Sequence, residues 1–226
     1  MKAVIMVLCL VFPCVEALAQ NGYKGGILFQ LKPDFSFGKD WKLNTKLESR
    51  QLLFEGLNKD PFHTMFQYER SDLEMVLSKK VSLTGSVGGG YLIRLDDGKF
   101  THRLIQQYSI SQTAWNMRIG HRFRTDETFE KDEPTRYRLR YRISMEKPLN
   151  GQEIDPGELY LTANNEYFQT LQDKAYSLEI RAMAALGFNF SDQSKLETGL
   201  EYRIEDLFLN SNTQLVWLNI AWYVSF

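Results

Sequence analysis

Cysteine is nearly missing from this sequence. Only Cys9 and Cys14 occur, and both precede residue 20, so the chain beyond them has no thiol for a disulfide, a thiolate metal site or a cysteine nucleophile. No apolar run approaches the roughly 20 residues that a membrane-spanning helix needs. An apolar stripe of period 3.6 long enough for a helix is absent too. The 27 Lys and Arg nearly balance the 28 Asp and Glu, so no whole-chain field selects a nucleic acid. Metal-ligand clusters, phosphate loops and nucleotide fingerprints are missing, and no cofactor is expected. Gly88-Gly89-Gly90 falls inside an extended run, where it marks a bend or the close packing of large neighbours.

What is present begins with an export pattern: Lys2, an apolar stretch over residues 3–15, then Ala17-Leu18-Ala19. Cleavage is expected between Ala19 and Gln20, leaving 20–226 as one domain. A lipid anchor at Cys14 is disfavoured by Pro13, where that processing wants a small residue.

From Gln20 onward the sequence alternates apolar and polar residues in long runs bounded by turn residues. Candidate strands cover 23–37, 41–54, 62–78, 81–94, 100–111, 115–125, 135–146, 158–168, 176–190, 195–203 and 213–226. Most exceed the usual strand length of about five or six residues and reach the roughly 9 to 11 that cross a bilayer. Connections at 38–40, 79–80, 112–114 and 191–194 read as tight, and those at 55–61, 126–134 and 204–212 as long, the rhythm of porin-type barrels. The link at 147–157 breaks it. Asp96-Asp97-Gly98 is a turn signal. The apolar phase shifts between Phe66, Tyr68 and Leu73, Met75, Leu77, which implies a bulge.

These features predict an all-β fold, an antiparallel up-and-down transmembrane β-barrel. Eleven candidate strands would put the two ends on opposite sides, whereas bacterial single-chain barrels have even counts; the expectation is therefore ten or twelve strands with both ends on one side.

The two faces of these strands have opposite chemistry. Tyr137, Leu139, Tyr141, Ile143 and Met145 alternate with Arg136, Arg138, Arg140, Arg142 and Glu146, and Met117, Ile119 and Phe123 with Arg118, Arg122 and Arg124. Alternation alone does not say which face is inside, because a soluble barrel would turn the apolar face inward. Two aromatic groups at opposite strand ends fit two membrane interfaces: Phe35, Trp41, Phe188 and Trp222 at one, Tyr23, Phe54, Tyr91 and Tyr167 at the other. The terminal apolar face of Trp222, Val224 and Phe226 is similar to the signal that barrel assembly machinery recognises. The expected setting is the bacterial outer membrane, with membrane lipid and lipopolysaccharide around a monomer.

Seven arginines, Arg118, Arg122, Arg124, Arg136, Arg138, Arg140 and Arg142, form a ladder that should face the lumen. They repel one another unless acids oppose them, and Glu48, Glu158, Glu166, Glu179, Glu197 and Glu201 lie on polar phases of other strands. The expectation is a charge network plugging a narrow barrel, with an anion-attracting pore wall as the alternative. A lipid hydrolase would need a serine beside a histidine base; His63, His102 and His121 sit in no such motif, and the latter two fall on the outward phase. No enzyme is expected. The other alternative is a soluble periplasmic barrel with an apolar ligand inside.

The run Arg136-Tyr137-Arg138-Leu139-Arg140-Tyr141-Arg142, the later Glu166-Tyr167-Phe168 and the closing strand pair resemble the "domain of unknown function 2490" family of Bacteroidetes outer-membrane proteins. The resemblance implies a barrel and its location, and supplies no reaction and no catalytic residue.

Overall fold

The computed structural model describes residues 20–56, 63–208 and 212–226. The expected leader, with Ala19 of the cleavage pair, lies outside the described residues, and Gln20 opens the first strand. Strands follow one another as β1 (Gln20–Phe37), β2 (Trp41–Gly56), β3 (His63–Lys80), β4 (Gly85–Asp96), β5 (Lys99–Ala114), β6 (Met117–Phe129), β7 (Arg136–Pro148), β8 (Leu159–Gln172), β9 (Ala175–Ser191), β10 (Ser194–Glu205) and β11 (Asn212–Ser225). Each pairs with its sequence neighbours, and β11 returns to β1 to close the barrel. Closure gives every strand two partners and leaves no edge.

Sequential pairs are antiparallel, but the closing pair is parallel, with Ile27 opposite Leu218, Phe29 opposite Ile220 and Leu31 opposite Trp222. This corrects the expected ten or twelve strands. An odd number closes without a missing or extra strand because β1 and β11 run in the same direction. Gln20 and Phe226 therefore lie at opposite rims, called here the N-terminal and C-terminal rims. Phe226 donates its N–H to Asp34 O (2.9 Å), accepts from Ser36 N (3.0 Å) and stacks on Phe35 at 5.1 Å.

Connections do not separate cleanly into a short-turn and a long-loop rim. The two-residue hairpins 97–98 and 173–174 stand at the N-terminal rim, while the longest described link, 149–158, stands at the C-terminal one. That link is held to β9 by Gly157 N to Asn189 O (2.7 Å) and Asn189 N to Glu158 O (2.9 Å). Two expected turns move. β3 continues to Lys80, leaving Val81 and Leu83 in the turn 81–84, and β5 continues to Ala114. Trp115 and Asn116, both at positive φ (52° and 55°), make the turn before β6, as the right-handed twist of a two-residue hairpin favours.

The bulge expected in β3 is present: Arg50 faces Arg70 and Gln51 faces Tyr68, so Glu69 is extra, and Phe66 and Tyr68 share the outward side with Leu73, Met75 and Leu77. Gly90 marks close packing. A Cβ there would stand 2.6 Å from Val76 Cγ2, and Val76 belongs to a small buried cluster with Leu92 and Ile105.

Apolar and polar phases face opposite ways. Phe29, Leu47, Leu104, Leu139, Leu186, Leu200 and Leu218 are exposed on the outer surface, and Leu200 is 59% exposed. Glu48, Asp72, Arg103, Arg124, Asp126, Glu166 and Arg203 are buried, the last two 1% exposed each. The charged residues line the inside of the barrel.

The parallel register is testable with paired cysteines. Leu31→Cys with Trp222→Cys should form a disulfide on mild oxidation, and Ile27→Cys with Trp222→Cys should not. Equal cross-linking of the two pairs would contradict the eleven-strand closure.

Candidate functional site: the charged lumen

Alternation on β6 and β7 sends every second residue inward, and barrel curvature brings those residues toward β3 and β8. Glu166 on β8 becomes a hub. Its Oε1 accepts from Arg122 Nη2 (3.1 Å) and Arg140 Nη2 (2.9 Å), and its Oε2 from Arg142 Nε (3.1 Å) and Nη2 (2.8 Å). Arg140 reaches further to Asp126 (3.1 Å), which also takes Arg138 (3.2 Å). Arg124 forks onto both oxygens of Glu74 on β3, at 3.0 Å each, and binds Gln107 at 2.8 Å. These contacts tie β3, β5, β6, β7 and β8 together through the lumen.

Aromatic rings continue the network. Phe168 lies beneath Arg140 (4.3 Å) and Arg181 (4.0 Å), and Trp217 lies near Arg50 (5.6 Å) and Arg203 (5.7 Å). Such rings favour a cation that has left water. Leu28, Leu52 and Leu215 pack with Trp217 into an apolar cluster, so that part of the lumen is filled by hydrocarbon as well as charge. Tyr160 is fully buried because Gly187 stands opposite it; a Cβ at Gly187 would lie 2.2 Å from the Tyr160 ring.

Of the seven arginines read from the sequence, Arg122, Arg124, Arg138, Arg140 and Arg142 join carboxylates. The two at the ends of the ladder do not: Arg118 donates to Ser111 (3.0 Å) and Arg136 to Gln172 (2.9 Å). Of the acids expected from the sequence only Glu166 opposes the ladder; Glu48 pairs with Lys46 and Arg50, and Glu158 stands in the link before β8. Glu179 pairs with Arg181 and Glu201 with Arg203, each two residues along its own strand, and Glu197 accepts from the hydroxyls of Tyr160 (3.0 Å) and Tyr223 (2.9 Å). The expectation that those three face the ladder is corrected: an i, i+2 neighbour on one strand face is closer than a strand across the barrel.

Sequence reasoning missed Asp126, Glu74 and the Asp72 fork to Arg94 (2.8 and 2.7 Å). Asp126 falls in an expected loop although β6 continues past it to Phe129. Asp72 and Glu74 lie within an expected strand, beyond the bulge that resets the phase of β3, and alternation counted from Leu73 puts both on the polar face.

On the outer surface, Tyr108, Phe123, Tyr141 and Tyr167 occupy one cross-strand row, with ring separations of 5.0 Å for Phe123 and Tyr141 and 6.4 Å for Tyr141 and Tyr167. His121 and His102 each contact a tyrosine hydroxyl, Tyr141 at 2.9 Å and Tyr91 at 2.6 Å. Trp222, in the terminal segment with Val224 and Phe226, donates to Ser194 at 2.9 Å.

A family model for proteins of unknown function (DUF2490) matches residues 25–214, from the first strand to the start of the last. The chain belongs to this family. No curated protein and no solved structure matches it significantly. The DUF2490 match covers the whole arginine ladder and its acids.

Glu166 makes the sharpest test of the network. Glu166→Gln keeps the shape but leaves three guanidinium groups short of a charge partner, and loss of one member of a buried pair costs about 3 to 5 kcal/mol. Urea unfolding should show a loss of that order. A change below about 1 kcal/mol would mean that the hub contributes little.

Proposed function

We propose that this protein is an integral β-barrel of the bacterial outer membrane, exported through a leader over residues 1–19, with a charge-plugged lumen and a structural or narrow-pore role. The observation that carries this reading is the reversed polarity of the barrel: apolar side chains on its outer face and buried charge within. Water would expose that greasy surface, whereas lipid would solvate it. Charge on the outward phase stands near strand ends, as with Lys79 over the Trp41 ring (5.3 Å) and Lys147 on β7 toward the C-terminal rim, and Glu127 on β6 toward the N-terminal rim. The row of Tyr108, Phe123, Tyr141 and Tyr167 lies mid-strand and widens the apolar band that lipid would solvate. The alternative of a soluble barrel with an apolar ligand draws no support from a lumen lined by arginine and glutamate.

In this reading the surroundings are outer-membrane lipid and lipopolysaccharide, the terminal Trp222, Val224 and Phe226 engage the barrel assembly machinery, and the protein is a monomer without catalytic activity. Eleven strands give an interior only slightly wider than the eight-stranded barrels that side chains fill, far short of the 16 to 18 of open porins. Arginines bridge that extra width.

Fractionation tests the location: the protein should appear with outer membrane and migrate differently on gels before and after heating, while release by osmotic shock would overturn it. Leu200→Arg separates membrane from water more sharply. At mid-depth in lipid it should cost roughly 2 to 4 kcal/mol of folding stability in bilayers; an exposed position in water would change by about 0.5 kcal/mol or less. Arg138→Ala with Arg140→Ala should lower stability more than it alters conductance, and a large loss of anion selectivity with unchanged folding would replace the plug by a pore.

A further inference from the structure

The half of the lumen toward the C-terminal rim is not filled. Two cavities of about 350 and 270 Å³ lie there and share Gln30, Lys32, Arg122, Arg142 and Tyr223 in their walls. The smaller one is lined by six cations, Lys32, Lys46, Arg122, Arg124, Arg140 and Arg142, against two acids, Asp34 and Glu74. Both acids are already engaged, Asp34 by Lys42 (2.9 Å) and Glu74 by Arg124.

The cations are also under-compensated beyond the wall. Glu166 is divided among Arg122, Arg140 and Arg142, and Glu48 between Lys46 and Arg50. Lys32 reaches the Tyr223 hydroxyl (2.8 Å), with no carboxylate in ion-pair range among the described residues. The Nε–H groups of Arg122, Arg124 and Arg140 find no acceptor among the described residues. Buried donors and unbalanced positive charge of this kind attract an anion, because the low-dielectric barrel wall focuses the field of the cations into the cavity.

We propose that the smaller cavity is a binding site for a small phosphate-type oxyanion, seated where Lys32, Arg122 and Arg142 meet; the larger one, whose wall carries Glu146, Glu197 and Glu201 besides Lys32, Arg118, Arg122 and Arg142, is its approach. Planar guanidinium forks and an ammonium group converging from different strands suit an oxyanion with acceptors on several sides. Entry is from the C-terminal rim, where the larger cavity reaches the exposed Arg118. Toward the N-terminal rim the cluster of Leu28, Leu52, Leu215 and Trp217 fills part of the lumen, so the site holds the anion rather than passing it. The inference goes beyond the plug reading and does not depend on which compartment surrounds the barrel.

Calorimetric titration of the purified protein in detergent with inorganic phosphate, against chloride at equal ionic strength, tests this. Saturable phosphate binding is expected, weakened by about tenfold or more in Lys32→Gln and in Arg142→Gln, and unchanged in Lys99→Gln at the opposite rim. Heat-dependent gel migration verifies that each variant is folded. If a variant misfolds, the unmodified protein still decides: no saturable binding at millimolar phosphate in low salt overturns the site, as does chloride binding equally well. Full affinity retained by folded Lys32→Gln and Arg142→Gln overturns it too.

Discussion

Glu166 is shared by three guanidinium groups from two neighbouring strands, and that sharing sets the terms for the rest of the interior. A buried arginine costs several kcal/mol unless a carboxylate and further acceptors meet it. With more cations than acids on β6 and β7, each acid must serve several partners. Asp126 serves two, and Glu74 is reached from β6 across the lumen. Aromatic faces add to that compensation: Arg140 and Arg181 over Phe168, and Arg50 and Arg203 near Trp217, are each also paired with a carboxylate.

The same constraint explains the wall. Long arginine and tyrosine side chains need space, which a glycine on the neighbouring strand provides for Tyr160. They also need a barrel wider than eight strands yet narrow enough for a side chain to reach a partner two or three strands away. Eleven strands satisfy both demands. The apolar residues left over by strict alternation have only the outer surface to occupy, so the greasy exterior and the charged interior are two results of one two-residue period.

Most of this was legible in the sequence. All eleven strands were recognisable from alternation, with boundaries off by a few residues, and the bulge in β3 from a change of phase. The even count usual in bacterial single-chain barrels pointed to ten or twelve instead, and sequence carries no information on the direction in which first and last strands meet. The ladder was visible because four of its arginines, Arg136, Arg138, Arg140 and Arg142, fall in strict alternation, but most of its partners were not. Asp126 lay just past an assumed strand end. Glu179 and Glu201 had an arginine two residues away on their own strands, and pairing at that range needs no help from the far wall. The turn at Trp115 and Asn116 gave only half a signal: Asn tolerates positive φ, but Trp does not announce it, and no glycine follows as in Asp97-Gly98.

The parallel seam between β1 and β11 also orders events in time. Ten of the eleven strand pairings join neighbours in sequence and can zip together as hairpins; the seam joins residues nearly two hundred positions apart. Its loop-closure cost is the largest in the molecule and grows with chain length only logarithmically, yet it falls on a single event. Until that event, β1 and β11 are open edges and the lumen charges face a gap. Sealing the seam is therefore the step at which a curved sheet becomes a container, and any factor that assists folding would act most effectively by holding those two strands side by side.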